Sequence, residues 1–290
     1  MRHPLSAAAA THPEAGALPG GAPPARRPAR EAMKPGHYRF RHVARMEWIK
    51  LRSLRSTWWT LGITVCGATA MAIVIGLNTR NAGGDLTNNA LAGVVPGLLL
   101  TGVLGVLMMT GEYTSGMIRA TLAAVPRRGL VLAAKAGVFG IVALAAGEAA
   151  AFISFVAGGA ALPHGIAAPA LTQPGVLRSV LLAGASFSLV GLLGLGLGAI
   201  VRHTAAAIAV LVGGVYLAAQ FVGAVAQGAA GYMPVLIIGN SLTTTQPENC
   251  SPHSALCPHF LSAWAGLGML CLYAAVVLGI GAWLLARRDA

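Results

Sequence analysis

Residues 86–111 read LTNNALAGVVPGLLLTGVLGVLMMTG, 26 consecutive positions without a charged side chain. A helix needs about 20 mainly apolar residues, rising about 1.5 Å each, to cross a hydrocarbon core about 30 Å thick. This stretch is long enough to do so and stops at Glu112. Uncharged runs of similar or greater length recur at Ser56–Thr79, Ala149–Leu177, Ser179–Val201, His203–Pro247 and Asn249–Ala286. Backbone inside a bilayer must satisfy its own hydrogen bonds, so such runs form helices. Six spans are predicted: Trp58–Leu77, Ala90–Thr110, Leu130–Leu162, Leu177–Val201, Thr204–Gln227 and Phe260–Ala286. The fold class expected is an all-α membrane protein.

Composition leads to the same class. Of 290 residues, 56% are hydrophobic and 10% charged, against roughly 25% charged in soluble domains. So few charges exclude both a disordered chain and a water-soluble enzyme. The 20 Lys and Arg residues are unevenly placed: 18 fall on one side of the predicted spans, and Arg80 and Arg178 on the other. The positive-inside rule then puts both termini in the cytoplasm of a multi-pass cell-membrane protein. The net charge of +12 is accordingly a topology signal, and no soluble module remains to bind nucleic acid. An Arg excess of 17 to 3 over Lys, with abundant Ala and Gly, fits a bacterial origin.

Residues 1–37 read as a disordered basic tail with no signal-peptide core, and 38–290 as one membrane domain. Just before span one, Phe40, Val43, Ala44, Trp48, Leu51 and Leu54 share one side of a helical wheel, with Ile49 opposite and Arg41, Arg45 and Arg52 away from the stripe. That pattern predicts an interfacial helix in the inner headgroup layer, or a simple basic anchor.

The link after span two, Gly111–Gly129, reads GEYTSGMIRATLAAVPRRG. Thr114 or Ser115 is expected to cap a short helix with Met117, Ile118, Leu122 and Val125 as its apolar positions. Glu112 stands at the membrane edge. Physics alone allows a plain re-entry turn with positive-inside arginines. An acid followed by a Thr/Ser pair, an Ile-Arg, a Thr-Leu and a Pro-Arg-Arg after the second of six spans resembles the membrane subunit of exporter-type ABC transporters. These permeases share their architecture with polysaccharide exporters and sterol or drug half-transporters. The Arg-rich approach Arg39–Thr57 is similar too, and the resemblance covers roughly Tyr38 to Arg288.

The resemblance implies a six-span homodimeric permease whose link after span two is a cytoplasmic coupling helix resting on a separate ABC ATPase subunit. Glu112, Thr114, Ile118, Arg119, Thr121, Leu122, Pro126, Arg127 and Arg128 match the motif. Leu122 and Val125 would fill an apolar groove of the ATPase, while Arg119, Arg127 and Arg128 would meet acidic or lipid-headgroup partners. The sequence contains no GxxxxGK[ST] loop, so ATP and Mg belong to the partner and no cofactor or catalysis to this chain. The expected activity is ATP-driven export of a small or lipid-like molecule.

Beyond span five, the apolar run Ala229–Gly239 is only about eleven residues long, the length of a re-entrant or interfacial segment. Family likeness favours the re-entrant form. Cys250 and Cys257 follow in an outward loop with His253 and His259. A disulfide, two free thiols or a metal site are all open there, and no standard metal spacing is met. Glu148 is the one acid deep in a span, either a bonded structural acid or a pathway residue. It supports an alternative function, an ion-gradient-driven secondary transporter with Glu148 as proton carrier. Gly93/Gly97 and Gly194/Gly198 are small-xxx-small pairs expected to serve helix packing. Neither GxSxG nor HExxH occurs, which leaves no sign of a membrane-embedded hydrolase.

Overall fold

A computed structural model describes residues 39–80, 84–125, 127–226, 229, 231–244 and 261–287. The proposed tail, Pro126, the Cys250–Cys257 loop and Arg288 lie outside the described residues. Among those described the fold is helical with no strand. In chain order the helices are α1 (Phe40–Ser53), α2 (Arg55–Asn78), α3 (Leu86–Leu91), α4 (Val94–Thr114), α5 (Met117–Ala124), α6 (Arg128–Ala160) and α7 (Val176–Val201). Then come α8 (Thr204–Val212), a π-helical turn (Gly213–Leu217), α9 (Ala218–Val225), α10 (Pro234–Ser241) and α11 (Ala263–Arg287).

Five helical stretches are long and apolar enough to cross a membrane: α2, α3–α4, α6, α7 and α11. The fifth predicted span differs. Its helix starts at Thr204 as expected but changes to π geometry at Gly213 and Gly214, where two adjacent glycines loosen the α ladder. The second span is divided. Pro96 has no N–H to offer the carbonyl four residues earlier, and the helix breaks at Ala92–Gly93.

The core is built around α7, which packs against α4, α6 and α11, while α2 leans on α6 and α1 lies along α6. Helix association in lipid depends on close packing and internal polar contacts. The α4–α7 crossing meets that need with glycine on both sides. A Cβ placed on Gly194 would lie 2.0 Å from the Gly102 carbonyl oxygen, and one on Gly105 would lie 2.0 Å from that of Gly191. Gly198 meets Val106, and Gly93 lies against Ala68 of α2. Both expected glycine pairs thus sit at helix contacts, and the closest approaches pair Gly194 with Gly102 and Gly105 with Gly191. Several hydroxyls in the spans fold back on their own helices, as Thr101 onto Gly97 and Ser186 onto Leu182, which leaves them satisfied without water, and Ser188 of α7 donates across to the Gly140 carbonyl of α6.

Candidate functional site

The link after α4 is where sequence and structure meet most closely. A helix forms there, Met117–Ala124, but neither Thr114 nor Ser115 caps it. Helix α4 continues to Thr114, so both hydroxyls donate to the Gly111 carbonyl in its last turn. The chain then reverses through Gly116 at φ +70°, a conformation that suits glycine. This left-handed glycine sets the start of α5.

Behind α5 lies a cluster of four charged side chains. Lys50 Nζ donates to Glu47 Oε1 at 3.0 Å, Glu112 Oε1 at 2.9 Å and Thr121 Oγ1 at 3.0 Å. Lys135 Nζ donates to Glu47 Oε2 at 2.5 Å and to Glu112 Oε1 at 2.8 Å. Glu47 is 1% exposed and Lys135 3%. Two acids and two lysines make the cluster neutral, and it joins α1, α4, α5 and α6. A buried charge is tolerated only when paired and hydrogen-bonded, so each helix must hold its register for the others to be solvated. Burial alone would pull the Lys50 ammonium down. The hydrogen bond to Glu112 and the charge of Glu47 outweigh it and raise Lys50 above its ordinary value. Glu112 Oε2 is buried and has no hydrogen-bond partner among the described residues.

The rotation of α1 differs from the expected stripe. Val43, Glu47 and Leu51, at i, i+4 and i+8, are its buried side, whereas Phe40, Trp48 and Leu54 are exposed. The cause is the ion cluster: satisfying Glu47 outweighs burying Trp48, which costs little where lipid replaces water.

Of the motif residues, Glu112 and Thr121 belong to the cluster, and Ile118 packs with Leu51, Met109 and Leu132. Leu122 is half-buried against two apolar clusters. Val125 is 4% exposed, enclosed by Val43, Val131 and Ala134, which corrects the expectation that it fills a groove on another protein. Arg128 donates from Nη1 to the Leu285 carbonyl at 3.1 Å. Thr114, Arg119 and Arg127 are exposed together with Met117, Ala120, Ala123 and Ala124. The outward face of α5 is therefore Met117–Arg119–Ala120–Ala123. At the same end, Arg202 adopts φ +60° in the two-residue turn between α7 and α8 and stacks 5.2 Å above the Tyr113 ring. Thr204 beside it donates to Thr110.

Glu148 lies in α6 against the Gly184 backbone of α7; a Cβ on Gly184 would come within 2.4 Å of the carboxyl carbon. Its Oε2 is buried without a hydrogen-bond partner among the described residues. Glycine at 184 is what admits the carboxyl group.

At the opposite end, α10 begins with Pro234 in its first turn and buries Ile237, Ile238 and Leu242 with Leu91, Val180 and Leu270. Asp85 caps α3 and also accepts hydrogen bonds from the Thr244 amide and hydroxyl. Arg178 donates to the Thr243 carbonyl at 3.3 Å. The apolar run after the fifth predicted span thus ends in a short packed helix. Cys66 and Cys271 are exposed on span surfaces. Among the described residues, no group of three or more His, Cys, Asp or Glu is placed to hold a metal.

The chain is a multi-pass helical membrane protein with a charge-neutral cluster beneath the link between α4 and α6. Comparison with models of known protein families and with curated proteins returns no match for this chain.

Proposed function

We propose that this chain is the membrane-spanning permease subunit of an ATP-driven ABC exporter, working as a homodimer with a separate ATPase subunit. The observation that carries this reading is α5. It is an eight-residue helix directly after α4, with one face buried and Thr121 bonded to Lys50, and with Met117 and Arg119 facing outward. A helix held so firmly from behind can pass a push on its outer face to α1, α4 and α6 together. Six spans, counting the helical run 204–225, a re-entrant α10 and cytoplasmic termini in the cell membrane complete the proposal. The cargo class is a small or lipid-like molecule moving outward.

A second reading rests on Glu148, whose unpartnered carboxylate oxygen in the middle of α6 suits a proton carrier in a gradient-driven transporter. Reconstitution of the chain in sealed vesicles separates the two. An ABC permease needs the ATPase and ATP for flux and retains most of it in Glu148→Gln. Flux that runs on a pH gradient without ATP, and is lost in Glu148→Gln, would replace the first reading by the second.

A further inference from the structure

Helix α1 has a second face that the ion cluster leaves unused. Arg41, Arg45 and Arg52 are all exposed. At about 100° per residue they fall within about 40° of one another, with Arg45 about 160° around the axis from Glu47. Because Glu47 and Lys50 are bonded to Glu112 and Lys135, α1 cannot roll to bring these arginines against the bundle.

No acid inside the described part of the protein is left for them. Its acids are Glu47, Asp85, Glu112 and Glu148. Glu47 and Glu112 are held by the two lysines, Asp85 is engaged with Thr244, and Glu148 lies against Gly184. The anion that complements the arginine row therefore comes from beyond the described residues.

The surroundings indicate its kind. Only Leu54 separates α1 from α2, the first long apolar helix, so α1 lies level with the end of a span. Trp48 of α1 and Trp58 and Trp59 of the adjoining α2 are exposed, and exposed tryptophans at a span end mark the headgroup layer. Arginine forks match phosphate geometry. We infer that the outer face of α1 is a binding surface for anionic phospholipid headgroups, with Arg41, Arg45 and Arg52 as the phosphate contacts. This rests on the membrane-spanning fold alone and not on the exporter reading.

The test is native mass spectrometry of the full-length protein in detergent, offered equimolar phosphatidylglycerol and phosphatidylcholine. Each basic residue near an anionic surface contributes about 1 kcal/mol, roughly a fivefold factor. Retention of phosphatidylglycerol over phosphatidylcholine should fall by tenfold or more, on that scale, in Arg41→Gln/Arg45→Gln/Arg52→Gln. It should be unchanged in Arg119→Gln/Arg127→Gln, which removes two exposed charges from the α5 region. If the triple Gln variant fails to fold, Arg45→Gln alone should lower the preference severalfold. A preference that survives the α1 substitutions, or falls equally in the α5-region control, would overturn the inference. Displacement of the lipid by excess inorganic phosphate would also overturn it, assigning the face to a soluble anion.

Discussion

Lys50 of α1 and Glu112 at the end of α4, 62 positions apart in the chain, share a 2.9 Å hydrogen bond. Through it a helix that precedes every span is joined to the link that leaves the second one. The pair sits in a neutral group of four, so its energetics depend on which charges are removed together.

Lys135→Met leaves two acids against one lysine, and Glu47→Leu leaves the reverse. Breaking a buried pair in this way typically costs about 3–5 kcal/mol. The double variant Glu47→Leu/Lys135→Met restores neutrality and keeps Lys50, Glu112 and Thr121 together. It should be closer to wild type than either single variant, with a coupling of at least about 1 kcal/mol. Equilibrium unfolding in mixed micelles measures this, and simple additivity would show that the four charges are not one unit.

The alkaline limb of stability is a second consequence. Lys50 is raised above 10.5 in the folded protein, so its contribution is fully present below the unfolded value and is lost only as pH rises through the folded one. Thermal midpoints should therefore show no Lys50-dependent change between about pH 6 and 9. A drop that begins above about pH 10.5 should be present in wild type and missing in Lys50→Met. A Lys50-dependent transition near neutral pH would contradict the bonding pattern.

At the α4–α7 crossing, Gly194→Ala should cost about 1–3 kcal/mol through forced separation of the helices, since its Cβ would meet the Gly102 carbonyl at 2.0 Å. Gly268→Ala, with nothing within 4 Å, should be neutral or slightly stabilising because alanine favours the helix. Thermal unfolding of the two purified variants decides, and equal behaviour would mean that the crossing is not held by close contact.

Much of the fold can be read from charge-free run lengths, because the bilayer demands long uninterrupted helices: four of the six predicted spans begin and end within about three residues of α2, α6, α7 and α11. The division at Ala92–Gly93 was missed, although Pro96, which has no N–H for the Ala92 carbonyl, was a signal for it. The ion cluster was not legible. Its members lie on three separate stretches of sequence, and each had an ordinary local reading: Lys135 as a topology charge, Glu112 as a residue at a helix edge. The available signal was Glu47 itself, an acid spaced i+4 from Val43 and i−4 from Leu51, where an apolar residue would be expected on a packed face. The side of α5 that turns inward was equally hidden, since Ile118, Leu122 and Val125 suit either a partner's groove or this chain's own core. Packing against Val43 and Val131 settles Val125 as core.

The central claim is that the outer face of α5 rests on a separate ATPase, and Met117, 48% exposed on that face, is the position that tests it most directly. A photo-crosslinking benzoylphenylalanine is placed at Met117 in native membranes, with Ile153, exposed on the α6 surface, as the lipid-facing control. The expected result is a crosslink from position 117, absent from 153, to a polypeptide carrying a GxxxxGK[ST] loop. That crosslink should be weakened when Arg119 is changed to Glu. Protein that transports its cargo while position 117 crosslinks to no ATP-binding chain would contradict the account.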